Sequence, residues 1–142
     1  SFQHVGKVAN TVKYILETLN QDEHDIEIAQ IAAYLHDIGN LVNRKDHSQS
    51  GAVMAWSILN DMGCDPAEIA TIVTAIGNHD EGTGVPVNPV AAALILADKA
   101  DVRRSRVRNA DISKFDIHDR VNYSVKKSVF FIGRRTNISS LK

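Results

Sequence analysis

The chain has 142 residues, with 16 Lys and Arg against 17 Asp and Glu and a formal net charge of -1. Most domains contain roughly 100–150 residues, so we predict one domain over residues 1–132 and a polar tail over 133–142. A nearly neutral chain has no overall field that attracts nucleic acid or an anionic membrane. Any binding of phosphate must therefore come from a local cluster of cations.

Cysteine content and hydropathy bear on where the protein works. Cys64 is the only cysteine, which excludes an internal disulfide and suits a reducing compartment. The longest apolar run, Val90 to Ala97, is far shorter than the roughly 20 residues that span a bilayer. We therefore expect a cytoplasmic protein without membrane contact.

Apolar residues recur at spacings of three and four, the period of an α-helix. We expect helices over residues 4–19, 26–39, 47–62, 66–77 and from Asn88 onward. Asp65 precedes Pro66 as a helix cap, and Asp46 with Gln49 resembles a capping box. Gly39 and Gly63 are predicted helix stops. The pattern predicts an all-α bundle of five or more helices.

The last third of the chain has a weaker pattern. Residues 82–89 are rich in Gly and Pro, which predicts a loop. Beyond Arg108, residues 116–123 fit a short helix, and residues 123–132 fit either a short C-terminal strand or a helix against the core.

Four ionisable residues lie on or beside apolar helix faces: His4, His36, Asp37 and Asp98. Each alone fits an ordinary core or surface role. Together they are costly to bury without compensation, and a divalent cation compensates them because imidazole and carboxylate are common metal ligands. The four residues predict a metal site.

The His-Asp dipeptide occurs three times, as His36-Asp37, His79-Asp80 and His118-Asp119. Only the first pair ends a long apolar segment, and it is followed by Ile and Gly. The third lies in a polar stretch and fits a solvated pair. Context therefore favours the first pair as the metal-binding one.

The ordered pattern of His4, then Leu-His36-Asp37-Ile-Gly, then Leu-Ala-Asp98 resembles the HD superfamily of metal-dependent phosphohydrolases. The resemblance covers roughly residues 4–106. It implies an HD-domain helical bundle in which His4, His36, Asp37 and Asp98 bind one divalent metal.

Two further histidines resemble the additional ligands of HD subgroups that bind two metals. These are His47, in His-Ser-Gln-Ser-Gly-Ala, and His79, in Asn-His-Asp-Glu-Gly. In those subgroups the HD aspartate, here Asp37, bridges the ions and would orient the attacking water as the catalytic residue. The resemblance favours iron or manganese, although the same donors accept cobalt, nickel and zinc.

Among subgroups, the order of motifs is most similar to bacterial hydrolases of symmetrical dinucleoside tetraphosphates, and next to cyclic-di-GMP phosphodiesterases of the HD-GYP type. The chain departs from the second at Asn40, where that subgroup has lysine, and at Gly82-Thr-Gly-Val-Pro86, which replaces Gly-Tyr-Pro. It departs from the first after Asp98, where Lys99 follows instead of Tyr. Because of these departures, the resemblance does not identify the substrate.

A cationic run follows Asp98 and contains Lys99, Arg103, Arg104, Arg106 and Arg108. Arginine suits bidentate phosphate contacts, so we predict that Lys99 and Arg103 bind substrate phosphate. The later arginines fit a solvated helix end favoured by the helix dipole. Arg44, near the HD motif, is a third predicted phosphate ligand.

Three acids lie near the predicted ligands. Asp101, three residues after Asp98, fits either a partner that orients a ligand or an acceptor for the arginines. Asp80 and Glu81 follow His79 and fit either a general acid or ordinary acidic loop residues, and Asp80 in addition fits a support for the metal ligands.

The sequence thus predicts a phosphohydrolase that cleaves a phosphoester or phosphoanhydride of a small-molecule nucleotide or dinucleotide. The alternative is a sensor module that binds a nucleotide without turnover. A purely structural metal fits less well, because structural zinc sites are rich in thiolates. The sequence is compatible with a homodimer.

Overall fold

The structure, a computed structural model, describes residues 1–80 and 82–109, the last two without their side chains. Within these residues the chain forms five α-helices and one short 3-10 helix, and no strand. The helices are α1 (Phe2–Thr18), α2 (Glu23–Leu35), α3 (His47–Asp61), α4 (Pro66–Gly77) and α5 (Pro89–Asn109), and the 3-10 helix is Ile38–Leu41. For this part of the chain, the all-α prediction is confirmed.

Helix α2 lies at the centre of the bundle and packs against α1, α4 and α5. Its buried residues include Ala29, Ala32 and Ala33, none of which has exposed surface. Because alanine is small, neighbouring helices approach α2 closely, and their larger side chains, such as Leu16, Ile76 and Leu94, fill the core. Three neighbouring helices therefore hold α2 in place.

Several predicted helix boundaries are confirmed. The Asp65 side chain accepts hydrogen bonds from the N–H groups of Ala67 and Glu68 and so caps α4. Gly63 has a φ of 75°, the left-handed conformation in which glycine commonly ends a helix. Asn88 caps α5 by accepting from the Ala91 N–H at 2.8 Å.

The predicted stop at Gly39 is wrong. Helix α2 ends at Leu35, so His36 and Asp37 lie in the connection to the 3-10 helix rather than in the last helical turn. Gly39 instead lies against α3, where a Cβ atom would be 1.9 Å from the carbonyl oxygen of His47. The absence of a side chain at Gly39 lets the start of α3 reach the HD motif.

The predicted capping box is also wrong. Asp46 has a φ of 57° and its side chain makes no capping hydrogen bond. The Gln49 amide donates to the carbonyl oxygen of Gly77 at 2.9 Å instead. This bond ties the first turn of α3 to the last residue of α4, next to His79.

No helix in the described ranges is long and apolar enough to cross a membrane. The predicted helix over 116–123, the strand or helix over 123–132, the domain end at 132 and the tail over 133–142 all lie outside the described residues, as do Glu81 and His118-Asp119.

Candidate metal centre

Packing of α1 on α5 brings together residues far apart in the sequence. His4 lies in the first turn of α1, one turn before the buried Val8, and its N–H is capped by the Ser1 hydroxyl at 3.3 Å. Asp98 lies one turn after the buried Leu94 on α5. Because each residue continues an inward-facing stripe, the two side chains meet at the end of the core.

Four predicted ligands form a first group of converging donor atoms. His4 Nε2 lies 3.0 Å from Asp98 Oδ1 and 3.3 Å from Asp37 Oδ2. His36 Nε2 lies 3.3 Å from the same Asp37 oxygen and 3.4 Å from the same Asp98 oxygen. Two imidazole nitrogens and two carboxylate oxygens therefore face one point.

A second group uses the other oxygen of Asp37. The Nε2 atoms of His47 and His79 lie 3.1 Å apart, and they approach Asp37 Oδ1 at 3.6 and 3.8 Å. His47 begins α3 and His79 follows α4, so the packing of these two helices brings the rings together. Asp37 thus lies between the two groups and turns one oxygen toward each.

Backbone hydrogen bonds determine which ring nitrogen carries the proton in three of the histidines. Each Nδ1 contacts the carbonyl oxygen three residues earlier: His36 with Ala33 at 2.5 Å, His47 with Arg44 at 3.1 Å, and His79 with Ile76 at 2.6 Å. A carbonyl oxygen only accepts hydrogen bonds, so Nδ1 must be the donor. The Nε2 lone pair of a neutral ring is left pointing into the site, as a metal requires.

The surroundings of the buried His36 Nε2 indicate whether the four residues of the first group fit a metal. His36 has no exposed surface, and its Nε2 has no hydrogen-bond partner in the described part of the chain. A lone pair that faces the carboxylates of Asp37 and Asp98 is unfavourable unless a cation lies between them. The donor set of imidazole nitrogens and carboxylate oxygens therefore fits a divalent metal.

Asp101 is buried, with 5% of its surface exposed, and its Oδ2 accepts from His4 Nδ1 at 2.6 Å. This bond directs His4 Nε2 toward Asp37 and Asp98. Hydrogen bonds that the protonated His4 ring donates to Asp37 and Asp98, helped by one to Asp101 and opposed by burial, raise the pKa of His4 to about 10. In the metal-free protein a proton on His4 therefore compensates the carboxylates.

The other pKa shifts also follow from the cluster. Burial lowers the pKa of His79, which favours its neutral, metal-binding form. Burial opposes ionisation of Asp37 and Asp98, but contacts with His4 and His36 outweigh it and hold both carboxyl pKa values below their usual range. The acids are therefore ionised at neutral pH.

A cleft of about 130 Å³ opens beside His79 and Asp98. The structure brings two of the three predicted phosphate ligands, Lys99 and Arg103, to its wall. Arg44 is exposed and does not line this cleft; its described contact is through its carbonyl oxygen, which accepts from His47.

Asp80, for which the sequence leaves a supporting role and a loop role open, makes local contacts in the structure. Its carboxylate accepts from the Gly82 N–H at 3.4 Å, and its carbonyl oxygen accepts from the Gly84 N–H at 2.6 Å. A Cβ atom at Gly84 would be 2.2 Å from the carbonyl oxygen of Asn78. These contacts hold the tight turn that follows His79.

Two features were missed by sequence reasoning. Arg106, which the sequence predicted to lie at a solvated helix end, is exposed but also lines the cleft with Lys99 and Arg103. Spacings of four and three from Lys99 place the three cations on one helical face, and this signal was available in the sequence. The contact of Gly39 with His47 could not be predicted from the sequence, because no local pattern indicates that these two residues meet.

The sequence matches the HD domain family over residues 1–119. The fold is similar to that of a predicted HD superfamily hydrolase from an uncultured Thermotogales bacterium, with a TM-score of 0.64 and 25% identity over 96% of this chain and 80% of that one. No curated protein shows significant similarity to the sequence. The chain belongs to the HD domain family. Membership and the structural match support a metal-dependent phosphohydrolase in general terms.

Proposed function

We propose that the protein hydrolyses a phosphoester or phosphoanhydride bond of a nucleotide or dinucleotide. One observation carries the proposal: Asp37 turns Oδ2 toward His4 and His36 and Oδ1 toward His47 and His79, at 3.3–3.8 Å. A carboxylate placed between two groups of imidazole nitrogens suits a pair of ions that share one bridging ligand.

The proposed ligands divide between the two groups of donor atoms. The first ion would be held by His4, His36, Asp37 and Asp98, and the second by His47, His79 and Asp37. Iron or manganese is the proposed metal, and cobalt, nickel and zinc are compatible with the same donors. Asp101 would keep His4 in the orientation that a ligand needs.

When bound, such ions lower the pKa of water and neutralise charge on phosphoryl oxygens. The chain supplies the arrangement around that chemistry. Asp37 lies between the two groups and would orient the attacking water, while Lys99 and Arg103 line the adjacent cleft and would hold phosphoryl oxygens. The water oxygen bonds to phosphorus, the bond to the leaving oxygen breaks, and each product keeps one proton of the water.

The test is a substrate panel with matched variants. Wild type, Asp37→Ala and Asp61→Ala are incubated with nucleoside mono- to triphosphates, dinucleoside polyphosphates and cyclic dinucleotides, with Mn, Fe(II) or Co added. Asp61 is an exposed acid at the end of α3, so its variant controls for the loss of one carboxylate. We expect one substrate class to be hydrolysed by wild type and Asp61→Ala but not by folded Asp37→Ala.

Two other results would change the proposal. Tight binding of a nucleotide with no turnover under any metal would support the alternative of a sensor module. Equal turnover by Asp37→Ala and wild type would remove Asp37 from the reaction. Dinucleoside tetraphosphates, favoured by the order of the motifs, are included in the panel as one candidate substrate.

A further inference from the structure

Each histidine of the second group is oriented by its own segment of the chain. The Nδ1 atom of His47 donates to the Arg44 carbonyl oxygen at 3.1 Å, and that of His79 donates to the Ile76 carbonyl oxygen at 2.6 Å. Because each acceptor lies three residues before its histidine, these bonds do not tie one ring to the other helix. The separation of the two Nε2 atoms, 3.1 Å, therefore depends on how α3 and α4 lie relative to each other.

Helices α3 and α4 are connected at the end far from these histidines. Helix α3 begins at His47 and α4 ends at Gly77, so the connection over 62–65 links the end of α3 to the start of α4. At about 1.5 Å per residue, a helix of 15 residues puts this connection roughly 20 Å from His47. His47 and His79 thus lie at the open end of a helical hairpin.

Packing between α3 and α4 near this end uses small residues. A Cβ atom at Gly51 would be 3.4 Å from Ile76 Cγ2, and one at Gly77 would be 3.6 Å from the Ala52 Cβ. Small residues bring two helices close together, but they offer few projecting groups that interlock. Such a contact resists separation of the helices more than it resists sliding of one along the other.

A single hydrogen bond joins the helices at the open end. The Gln49 amide Nε2 donates to the Gly77 carbonyl oxygen at 2.9 Å, and among the described residues no other hydrogen bond links α3 to α4. Gln49 lies two residues after His47, and Gly77 lies two residues before His79. The bond also satisfies a carbonyl group that has no partner within α4. Because hydrogen bonds are directional, this one sets the register that small residues alone do not.

We propose that Gln49 is a positioning residue for the second ion, and that its bond to Gly77 holds His47 and His79 at the spacing that one ion requires. Zinc–nitrogen distances are about 2.0–2.1 Å, so two nitrogens on one such ion lie roughly 3 Å apart, close to the 3.1 Å between the Nε2 atoms. Metal sites tolerate deviations of only about 0.2 Å. A small shift of α3 along α4 would therefore weaken binding of the second ion and leave the donors of the first in place.

The inference rests on the two-ion arrangement of the proposed function, and its test compares Gln49→Met with wild type and with Gln30→Met. Methionine is similar in length to glutamine but has no N–H, so each variant loses one hydrogen bond with little change in packing. Gln30 is the matched control, because its amide donates to the Ala9 carbonyl oxygen at 3.4 Å and joins α2 to α1. Calorimetric titration of the metal-free protein with Mn(II) measures both affinities without turnover, and urea unfolding measures the stability of the metal-free fold.

We expect Gln49→Met to weaken binding of the second Mn(II) ion about fivefold, the loss of one hydrogen bond, and to change the first by less than about twofold. Gln30→Met should leave both affinities within about twofold of wild type. Both variants should lose a similar, small part of the free energy of unfolding. A selective loss at the second ion then reports the positions of His47 and His79 rather than a general loosening of the fold.

Several results would overturn the inference: an unchanged second affinity in Gln49→Met, an equal loss at both ions, the same loss in Gln30→Met, or a wild-type protein that binds a single Mn(II) ion. Hydrolysis is tested separately by the substrate panel. If no compound is hydrolysed but binding of the second ion still depends on Gln49, the hydrolase proposal fails and the positioning role stands. If a substrate is hydrolysed and binding of the second ion does not depend on Gln49, the hydrolase proposal stands and the positioning role fails.

Discussion

His47 and His79 face each other through their Nε2 atoms at 3.1 Å, while each Nδ1 donates to a backbone carbonyl. Two neutral rings in this arrangement direct two lone pairs at each other, which requires a proton or a metal ion between them. The nearby Oδ1 of Asp37 adds negative charge at the same point. This geometry is the reason for proposing a second ion.

The first prediction concerns metal content. Replacing His47 with Ala removes a donor of the second group and leaves His4, His36 and Asp98 intact, so bound metal should fall from two ions per chain to one. Elemental analysis after dialysis measures this. His24→Ala is the matched control, since His24 is a surface histidine paired with Glu68 and should leave the content unchanged. Two ions retained in His47→Ala would contradict the assignment.

The second prediction concerns Asp101 as a positioning residue. Asp101→Ala removes the acceptor that orients His4, so metal affinity should fall about 10–100-fold. Asp101→Asn should lose less, because the amide oxygen can still accept from Nδ1. Competition with a coloured chelator measures both affinities. Equal losses in the two variants would show that the charge of Asp101, rather than its hydrogen bond, supports the site.

The third prediction compares two glycines. Gly39→Ala places a Cβ 1.9 Å from the His47 carbonyl oxygen, so the free energy of unfolding should fall by roughly 2 kcal/mol or more. Gly6→Ala lies within α1 with nothing within 4 Å, and should stabilise the protein by roughly 0.5–1 kcal/mol. Urea unfolding of both variants checks this. A neutral Gly39→Ala would mean that the 3-10 helix can move away from α3.

The fourth prediction concerns pH. The pKa of His4 is raised to about 10 without metal, so a metal that binds Nε2 near neutral pH must displace a proton. Apparent affinity should therefore rise with pH, by about tenfold per unit for one displaced proton, until the pH approaches the pKa of His4. Titrations at two pH values, in buffers with different ionisation enthalpies, measure the released proton. Equal affinity at both values would contradict a proton held at His4.

Much of the site could be predicted from the sequence, because its chemistry is encoded locally. His4, Asp98 and Asp101 continue the inward faces of amphipathic helices, and helical periodicity alone indicates that such residues turn toward the core. The structure brings His4 against both acids, as that periodicity predicts. The start of α4 at Asp65 could also be predicted from the sequence, because a capping residue accepts hydrogen bonds from N–H groups close to it in the chain.

Tertiary packing decided the rest. Local sequence favoured capping by Asp46 and a helix stop at Gly39. Both predictions are wrong, because α3 packs closely against the HD motif. The division of Asp37 between two histidine pairs depends on how the helices are packed. Local sequence determines which face of a helix is apolar, whereas the distance between side chains on different helices is determined only when their cores are packed together.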